Sequence, residues 1–111
     1  MKMEFTEYQK KAWETAVYPN KGNNISYAAI ALGGESGEVL DKIKKILRDH
    51  GAQINEEKKQ EIVKELGDVL WTVAALATEL KVDLNDVAEK NVKKITDRQT
   101  REVVKGEGDN R

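Results

Sequence analysis

The hydrophobic positions of this chain recur every three or four residues in four separate stretches, which predicts four amphipathic helices. The apolar side chains of the first stretch are Phe5, Tyr8, Ala12, Trp13 and Ala16. A loop follows around Pro19, which is the one proline in the chain. Either Asn24 or Ser26 can cap a second helix, which is expected to run to about Asp49.

Two further helices follow, and each has its own start signal. Gly51 suits the left-handed conformation at the end of the second helix. Asn55 can cap a third helix that ends near residue 80 or 81. Asp83 can cap a fourth helix that runs from residue 84 to about 101. We therefore predict an all-α protein, a four-helix bundle in a single domain over residues 1–104. Residues 105–111 are polar and rich in glycine, which predicts a flexible tail.

The second and third helices are long for a chain of 111 residues. Each is expected to have about 25 residues, or ~37 Å at the rise of an α-helix. A monomer of this size can bury only a limited core. We therefore expect a homodimer that completes the bundle, or a tetramer formed by two such dimers.

Two pairs of acidic residues lie at the edge of the predicted core. On a helical wheel, Glu35 and Glu38 lie beside the apolar arc of the second helix, and Glu65 and Asp68 have the same offset on the third. Because a short connection joins these two helices, they are expected to be antiparallel neighbours. Since both acidic pairs have the same offset from the apolar arc of their helix, they then lie on the same side of the line along which the two helices pack. The pairs also lie at similar heights, ~20 and ~16 Å from the connection. The sequence therefore predicts that four carboxylates converge.

Four converging carboxylates raise one another's pKa values unless a cation neutralises them. Since the candidate ligands are all oxygens, the preferred metal is Mg²⁺, with Mn²⁺ as a substitute. Such a site leaves positions open for phosphate oxygens. The alternative is that each pair belongs to an ordinary solvated helix face.

Other residues near the first acidic pair carry weaker signals. Gly33, Gly34 and Gly37 interleave the pair, and each glycine costs a helix ~1 kcal/mol relative to alanine. That cost suggests a close approach by a partner helix or a ligand. Glu61 and Glu79 share the acidic edge of the third helix, and we expect both to be solvated.

Composition excludes several classes of function. With 19 basic and 20 acidic residues, the net charge of −1 provides no basic excess for nucleic-acid binding. The absence of cysteine excludes zinc fingers and thiol nucleophiles, and it fits a cytoplasmic protein. The longest apolar runs have five residues, too few for a membrane span. A di-iron bundle would need Glu-x-x-His pairs, and the single His50 does not follow a glutamate by three.

The acidic segments resemble a known family. GESGEV at residues 34–39 and KELGDVLW at residues 64–71 are similar to the ExxE…ExxD signature of the MazG-like, all-α nucleoside triphosphate pyrophosphohydrolases. NVKKITDR at residues 91–98 and the tail at residues 106–111 also resemble the carboxyl-terminal part of that family. Arg101-Glu102 departs from the Arg-Gly expected there, which leaves the course of the tail open.

The resemblance implies an activity and roles for the acidic residues. The family hydrolyses a nucleoside triphosphate, here a dNTP or a non-canonical NTP, between the α and β phosphates, which gives the monophosphate and pyrophosphate. The role would be housecleaning of the nucleotide pool. Glu35, Glu38, Glu65 and Asp68 would be the Mg²⁺ ligands and catalytic residues. One of these carboxylates, or a water that the metal activates, would be the general base.

The resemblance also implies where the substrate binds. Asn91, Lys94 and Arg98 form one stripe of the fourth helix, in the region that supplies the family's substrate contacts, and we assign them to phosphate or sugar binding. The alternative is a solvated basic edge. Trp71 falls outside the core arc on the wheel, which makes it a candidate base platform or subunit contact.

The remaining alternative to an enzyme is a non-catalytic helical module for interaction or oligomerisation. Such a module would show no metal dependence and would tolerate Glu38→Gln and Asp68→Asn. The enzyme hypothesis predicts that either substitution abolishes turnover and leaves the helix content nearly intact, because relieving carboxylate repulsion does not harm the fold.

Overall fold

The computed structural model describes residues 2–101 and 106–109, and in that part of the chain all regular secondary structure is helical. The helices are α1 (Phe5–Glu14), α2 (Ile25–Asp49), α3 (Glu56–Glu79) and α4 (Leu84–Thr100). The predicted all-α class is confirmed. No helix in these residues combines the length and the apolar character that crossing a bilayer requires.

The helices begin where the sequence places side chains that can cap them. Asn24, rather than Ser26, caps α2, and Asn55 caps α3; each side chain accepts the N–H three residues later, at 3.0 and 2.8 Å. Asp83 caps α4 by accepting the N–H two residues later at 2.8 Å. Gly51 has a φ of +57°, so the chain leaves α2 through the left-handed conformation that glycine adopts without strain.

The two long helices form an antiparallel pair. They pack against each other, and the backbone N–H at the start of α2 (Asn24) bonds to the side chain at the end of α3 (Glu79) at 2.8 Å. α1 packs against α3 and α4, and α4 also contacts α3. In residues 2–101 and 106–109, α2 and α4 share no contact. The bundle is therefore open along one side of α2.

The core of a single chain is small. Its fully buried apolar residues are mostly alanines: Ala12, Ala16, Tyr18, Ala28, Ile46, Ala74, Ala75, Ala77 and Leu84. Several large side chains of the predicted apolar arcs are exposed instead: Ile25, Leu40, Leu47, Leu66 and Leu80. Among residues 2–101 and 106–109, α2 packs on no helix other than α3, so the seam that it buries within one chain is narrower than its apolar arc.

Glu79 corrects an expectation from the sequence, since it is buried rather than solvated. It is only 5% exposed, and its carboxylate accepts the hydroxyl of Tyr18 and the backbone N–H groups of Gly22 and Asn24, at 2.9 and 2.8 Å for the two N–H groups. Burial alone would raise the pKa of Glu79, but these hydrogen bonds outweigh it and hold the pKa below its usual value. Glu79 therefore ties the loop before α2 to α3.

Candidate metal centre and phosphate contacts

Three of the four predicted acidic residues come together between the long helices. Glu35 lies on α2, and Glu65 and Asp68 lie one turn apart on α3. Each offers a carboxylate oxygen, and the three oxygens lie within 4.8 Å of one another. We call these three residues the acidic cluster. Its position follows from the antiparallel pairing of α2 and α3, which brings the same edge of both apolar seams together.

Glu38 lies outside the acidic cluster but close to it. It is exposed, one turn after Glu35 on α2. The pKa of Glu35 is raised first by burial and then by the negative charges of Asp68, Glu65 and Glu38. The charges of the other three predicted carboxylates therefore all act on Glu35, although only Glu65 and Asp68 share the close geometry with it.

The donor set of the acidic cluster fits a hard divalent cation. All the candidate ligands are carboxylate oxygens, which Mg²⁺ and Mn²⁺ prefer, and the chain has no thiol to favour a softer metal. Ligand oxygens lie about 2.1 Å from Mg²⁺, so opposite ligands are about 4.2 Å apart. The spread of the three oxygens is close to that span. The repulsion that raises the Glu35 pKa is also the kind that a bound cation relieves.

The glycines beside the first acidic pair face open space. A Cβ atom built at Gly33, Gly34 or Gly37 would have no atom of the described chain within 4 Å, apart from its own neighbours along the helix. The close approach that the sequence suggested is therefore not made by any residue among 2–101 and 106–109. The surface of α2 next to the acidic cluster is free to receive another molecule.

The charge of the acidic cluster also acts on a residue of α1, and the sequence analysis missed this effect. Tyr8 is half-buried, and its pKa is raised by burial and then by the negative charge of Asp68. The helical spacing assigned Tyr8 only to the apolar face of α1. No local signal pairs it with Asp68, because 60 residues separate them and only the packing of α1 on α3 brings them near each other.

Trp71 turns toward α1 rather than toward the seam between α2 and α3. Its indole N–H donates to Thr15 Oγ1 at 2.8 Å, and its ring packs against a small buried cluster formed by Ala12, Ala74, Ala77 and Leu84. The ring therefore packs against buried apolar residues, although the helical wheel places Trp71 outside the apolar arc of α3. The ring is half-buried, so part of its surface remains accessible.

The predicted phosphate contacts on α4 lie together, and within the described residues they form no ion pair with the acidic cluster. Lys94 Nζ lies 3.2 Å from Asp109 Oδ1, and Arg98 Nη2 donates to the Asp109 carbonyl oxygen at 2.6 Å. Asn91 is exposed and lines a cavity of about 310 Å³ together with Val87, Lys90 and Lys94. Within the described residues, the one acid that pairs with these two cations is Asp109 of the tail.

Comparison with known proteins identifies the family of the chain. The family model described as the MazG nucleotide pyrophosphohydrolase domain matches residues 25–102, which span α2, α3 and α4 and include every predicted site residue. The chain is also 44% identical over 109 residues to the Gene 37 protein of Mycobacterium phage L5, a match that covers 94% of this chain and 96% of that protein. No solved structure matches the chain. With more than half of its length matched, the chain belongs to the MazG nucleotide pyrophosphohydrolase family.

Proposed function

We propose that this protein is a Mg²⁺-dependent nucleoside triphosphate pyrophosphohydrolase. The observation that carries the proposal is the acidic cluster, in which oxygens from two helices lie within 4.8 Å of one another. The substrates are dNTPs or non-canonical NTPs, and the role is the removal of unwanted nucleotides from the pool. Family membership supports the reaction class, and the choice of substrate and metal is part of the proposal.

The acidic residues carry the hydrolytic step. Mg²⁺ or Mn²⁺ held by Glu35, Glu65 and Asp68, with Glu38 as a fourth ligand, would neutralise triphosphate charge and lower the pKa of the attacking water. The water oxygen bonds to phosphorus while the bond that joins the α and β phosphates breaks, so the products are the monophosphate and pyrophosphate. A carboxylate of this group, or a water that the metal activates, would be the general base.

The residues of α4 and the ring of Trp71 bind the rest of the substrate. Lys94 and Arg98 provide N–H donors for phosphate oxygens, and guanidinium in particular suits bidentate contact with phosphate. Asn91 lies one turn before Lys94, where its amide can reach a phosphate or the sugar. The accessible part of Trp71 offers a surface on which a base can stack, or a contact with another subunit.

The active form is a homodimer, or a tetramer built from two dimers. The support is the exposed apolar surface along α2, where Leu40 is 71% and Leu47 60% exposed, together with the absence of contact between α2 and α4 in the described residues. A second copy packed against α2 would bury this surface, and its gain in hydrophobic free energy would scale with the area covered.

The proposal is tested by the products of hydrolysis. The protein is incubated with a panel of canonical and modified NTPs and dNTPs, with Mg²⁺, with Mn²⁺ and with chelator, and pyrophosphate and orthophosphate are assayed separately. Pyrophosphate and the monophosphate should appear first, and only with the metal. Orthophosphate with a diphosphate product would contradict cleavage between the α and β phosphates.

The same panel addresses the alternative of a non-catalytic helical module. For that alternative, no triphosphate is hydrolysed, the metal does not change the thermal stability, and Glu38→Gln and Asp68→Asn behave like the wild type. The exposed apolar surface of α2 fits a module as well as a dimeric enzyme. The acidic cluster favours the enzyme, because a module gains nothing from carboxylates that repel one another.

A further inference from the structure

Asp109 of the tail contacts both cationic side chains of α4 that the sequence assigns to phosphate binding, Lys94 and Arg98. Arg98 Nη2 donates to the backbone carbonyl oxygen of Asp109 at 2.6 Å and lies 3.3 Å from its carboxylate. Lys94 Nζ lies 3.2 Å from the same carboxylate oxygen. Both cations lower the pKa of Asp109, Lys94 more strongly than Arg98, so its carboxylate is charged near neutral pH. The pair is therefore already bound to an anion that belongs to the chain itself.

The two sides of this contact differ sharply in burial. The Arg98 side chain is only 9% exposed, whereas that of Asp109 is 82% exposed. In residues 2–101 and 106–109, every hydrogen-bond partner of the Arg98 guanidinium belongs to Asp109. A buried guanidinium left without an acceptor is costly, and here Asp109 supplies the acceptors through its carbonyl oxygen and its carboxylate. The carboxylate faces water, which competes for it and keeps the ion pair weak.

A phosphate group is the better occupant of the same position. It carries more negative charge than a carboxylate, and its several acceptor oxygens can bond to both cations at once. An occupant with stronger contacts replaces a weaker one without leaving Arg98 unpaired. Lys94 and Arg98 lie one turn apart on α4, so they remain in place whichever anion they bind.

We propose that Asp109 is a displaceable internal anion, which occupies the phosphate-binding position of Lys94 and Arg98 until a substrate phosphate replaces it. The inference rests on the proposed function, which assigns these two cations to the substrate. The contact is autoinhibitory, because only molecules whose Asp109 has left the cations can bind phosphate there. The apparent affinity for a polyphosphate is therefore the intrinsic affinity multiplied by the fraction of molecules in which Asp109 has left the cations.

The test measures polyphosphate binding without turnover. Inorganic tripolyphosphate is titrated calorimetrically into the wild type, Asp109→Asn and Glu107→Gln, in chelator and at one ionic strength. Asp109→Asn should bind tripolyphosphate about two- to fivefold more tightly than the wild type, the range expected when a weak exposed ion pair no longer competes. Glu107→Gln, which removes the same charge from an exposed residue two positions away, should bind like the wild type.

Three results would overturn the proposal. Asp109→Asn could bind tripolyphosphate as the wild type does, which would mean that the carboxylate does not compete. It could bind more weakly, which would mean that Asp109 orients the cations for the ligand. An equal gain in Glu107→Gln would show that the charge of the tail matters and its contact with Arg98 does not.

The binding measurement also separates this inference from the proposed function. A gain in Asp109→Asn, together with no hydrolysis of any triphosphate by the wild type, would support the internal anion and contradict the enzyme. Hydrolysis by the wild type, with no gain in tripolyphosphate affinity in Asp109→Asn, would support the enzyme and contradict the internal anion. If the protein is an enzyme and Asp109 is an internal anion, the KM of Asp109→Asn for a triphosphate should fall by the same factor as the dissociation constant for tripolyphosphate, while kcat stays unchanged.

Discussion

The backbone N–H of Asn24, which caps α2, donates to the carboxylate of Glu79, the last residue of α3, at 2.8 Å. The same carboxylate accepts two more hydrogen bonds from the loop that precedes α2. This arrangement holds the start of α2 against the end of α3. Because helices are stiff, holding one end also sets which residues face each other farther along, where the acidic cluster forms.

Glu79→Gln should destabilise the fold. The substitution keeps the shape but replaces one acceptor oxygen by an N–H₂ group, which faces a hydroxyl or N–H donor and leaves it without a partner. We expect the Tm to fall by about 5 °C or more, measured by circular dichroism at pH 7. Glu89→Gln, an exposed residue on α4, is the control and should leave the Tm unchanged. An unchanged Tm in Glu79→Gln would show that the charge of Glu79 does not hold the loop.

The stabilising effect of Glu79 should be lost in acid. Its hydrogen bonds hold the pKa of Glu79 below its usual value of 4.5, so between the two pKa values the unfolded state binds more protons than the folded state. The contribution is then complete above about pH 4.5 and disappears as the pH falls through the folded-state pKa. The Tm difference between the wild type and Glu79→Gln, followed from pH 7 to pH 3, should therefore shrink below that point. A Tm difference that stays constant or grows as the pH falls would contradict a lowered pKa of Glu79 in the folded state.

Asp68→Asn should separate catalysis from stability. Removing one charge from the acidic cluster relieves repulsion, so without metal the Tm should equal or exceed that of the wild type. Turnover should fall roughly a hundredfold or more, and the rise in Tm that Mg²⁺ produces in the wild type should be lost. Glu57→Gln, an exposed acid in the first turn of α3, is the control for charge and should keep both properties. Full activity in Asp68→Asn would disprove its role as a ligand.

The helices and the acidic cluster could be predicted because their signals are local and periodic. Asn55 and Asp83 are capping residues next to apolar repeats, so they mark helix starts without reference to the rest of the chain. The offsets of Glu35 and Asp68 from their apolar arcs depend only on helical geometry and on a short connection. These features therefore follow from the residue pattern with no knowledge of tertiary contacts.

The burial of Glu79 and the pairing of Asp109 could not be predicted in the same way. On a helical wheel Glu79 lies on the acidic edge of α3, and nothing near it in the sequence indicates that the loop around Gly22 folds over it. Asp109 reaches Arg98 across 11 positions after α4 has ended, where no periodic pattern sets the path of the chain. Both contacts depend on where a loop or a tail lies in space.

Lys94→Ala should weaken substrate binding more than it slows the chemical step. Loss of a charge-assisted hydrogen bond to a phosphate should raise the KM for a triphosphate about tenfold, with little change in kcat. Lys94→Arg keeps the charge and should recover most of the affinity. Lys93→Ala removes an exposed charge from a different face of α4 and should have no effect. Steady-state kinetics at saturating Mg²⁺ provide KM and kcat. An equal rise in KM in Lys94→Ala and Lys93→Ala would assign the effect to net charge rather than to contact with the phosphate.

Leu40→Glu should convert a dimer into a monomer. Leu40 is 71% exposed in the single chain and lies on α2, whose outer side contacts no other helix among residues 2–101. A carboxylate buried in an apolar interface without a partner strongly opposes association. Light scattering coupled to size exclusion should therefore show twice the chain mass for the wild type, or four times for a tetramer, and the single mass for the variant. Val17→Glu makes the same change at a residue 92% exposed outside α2, so it should leave the dimer intact. A wild type that elutes at the single mass at all concentrations would contradict the dimer itself.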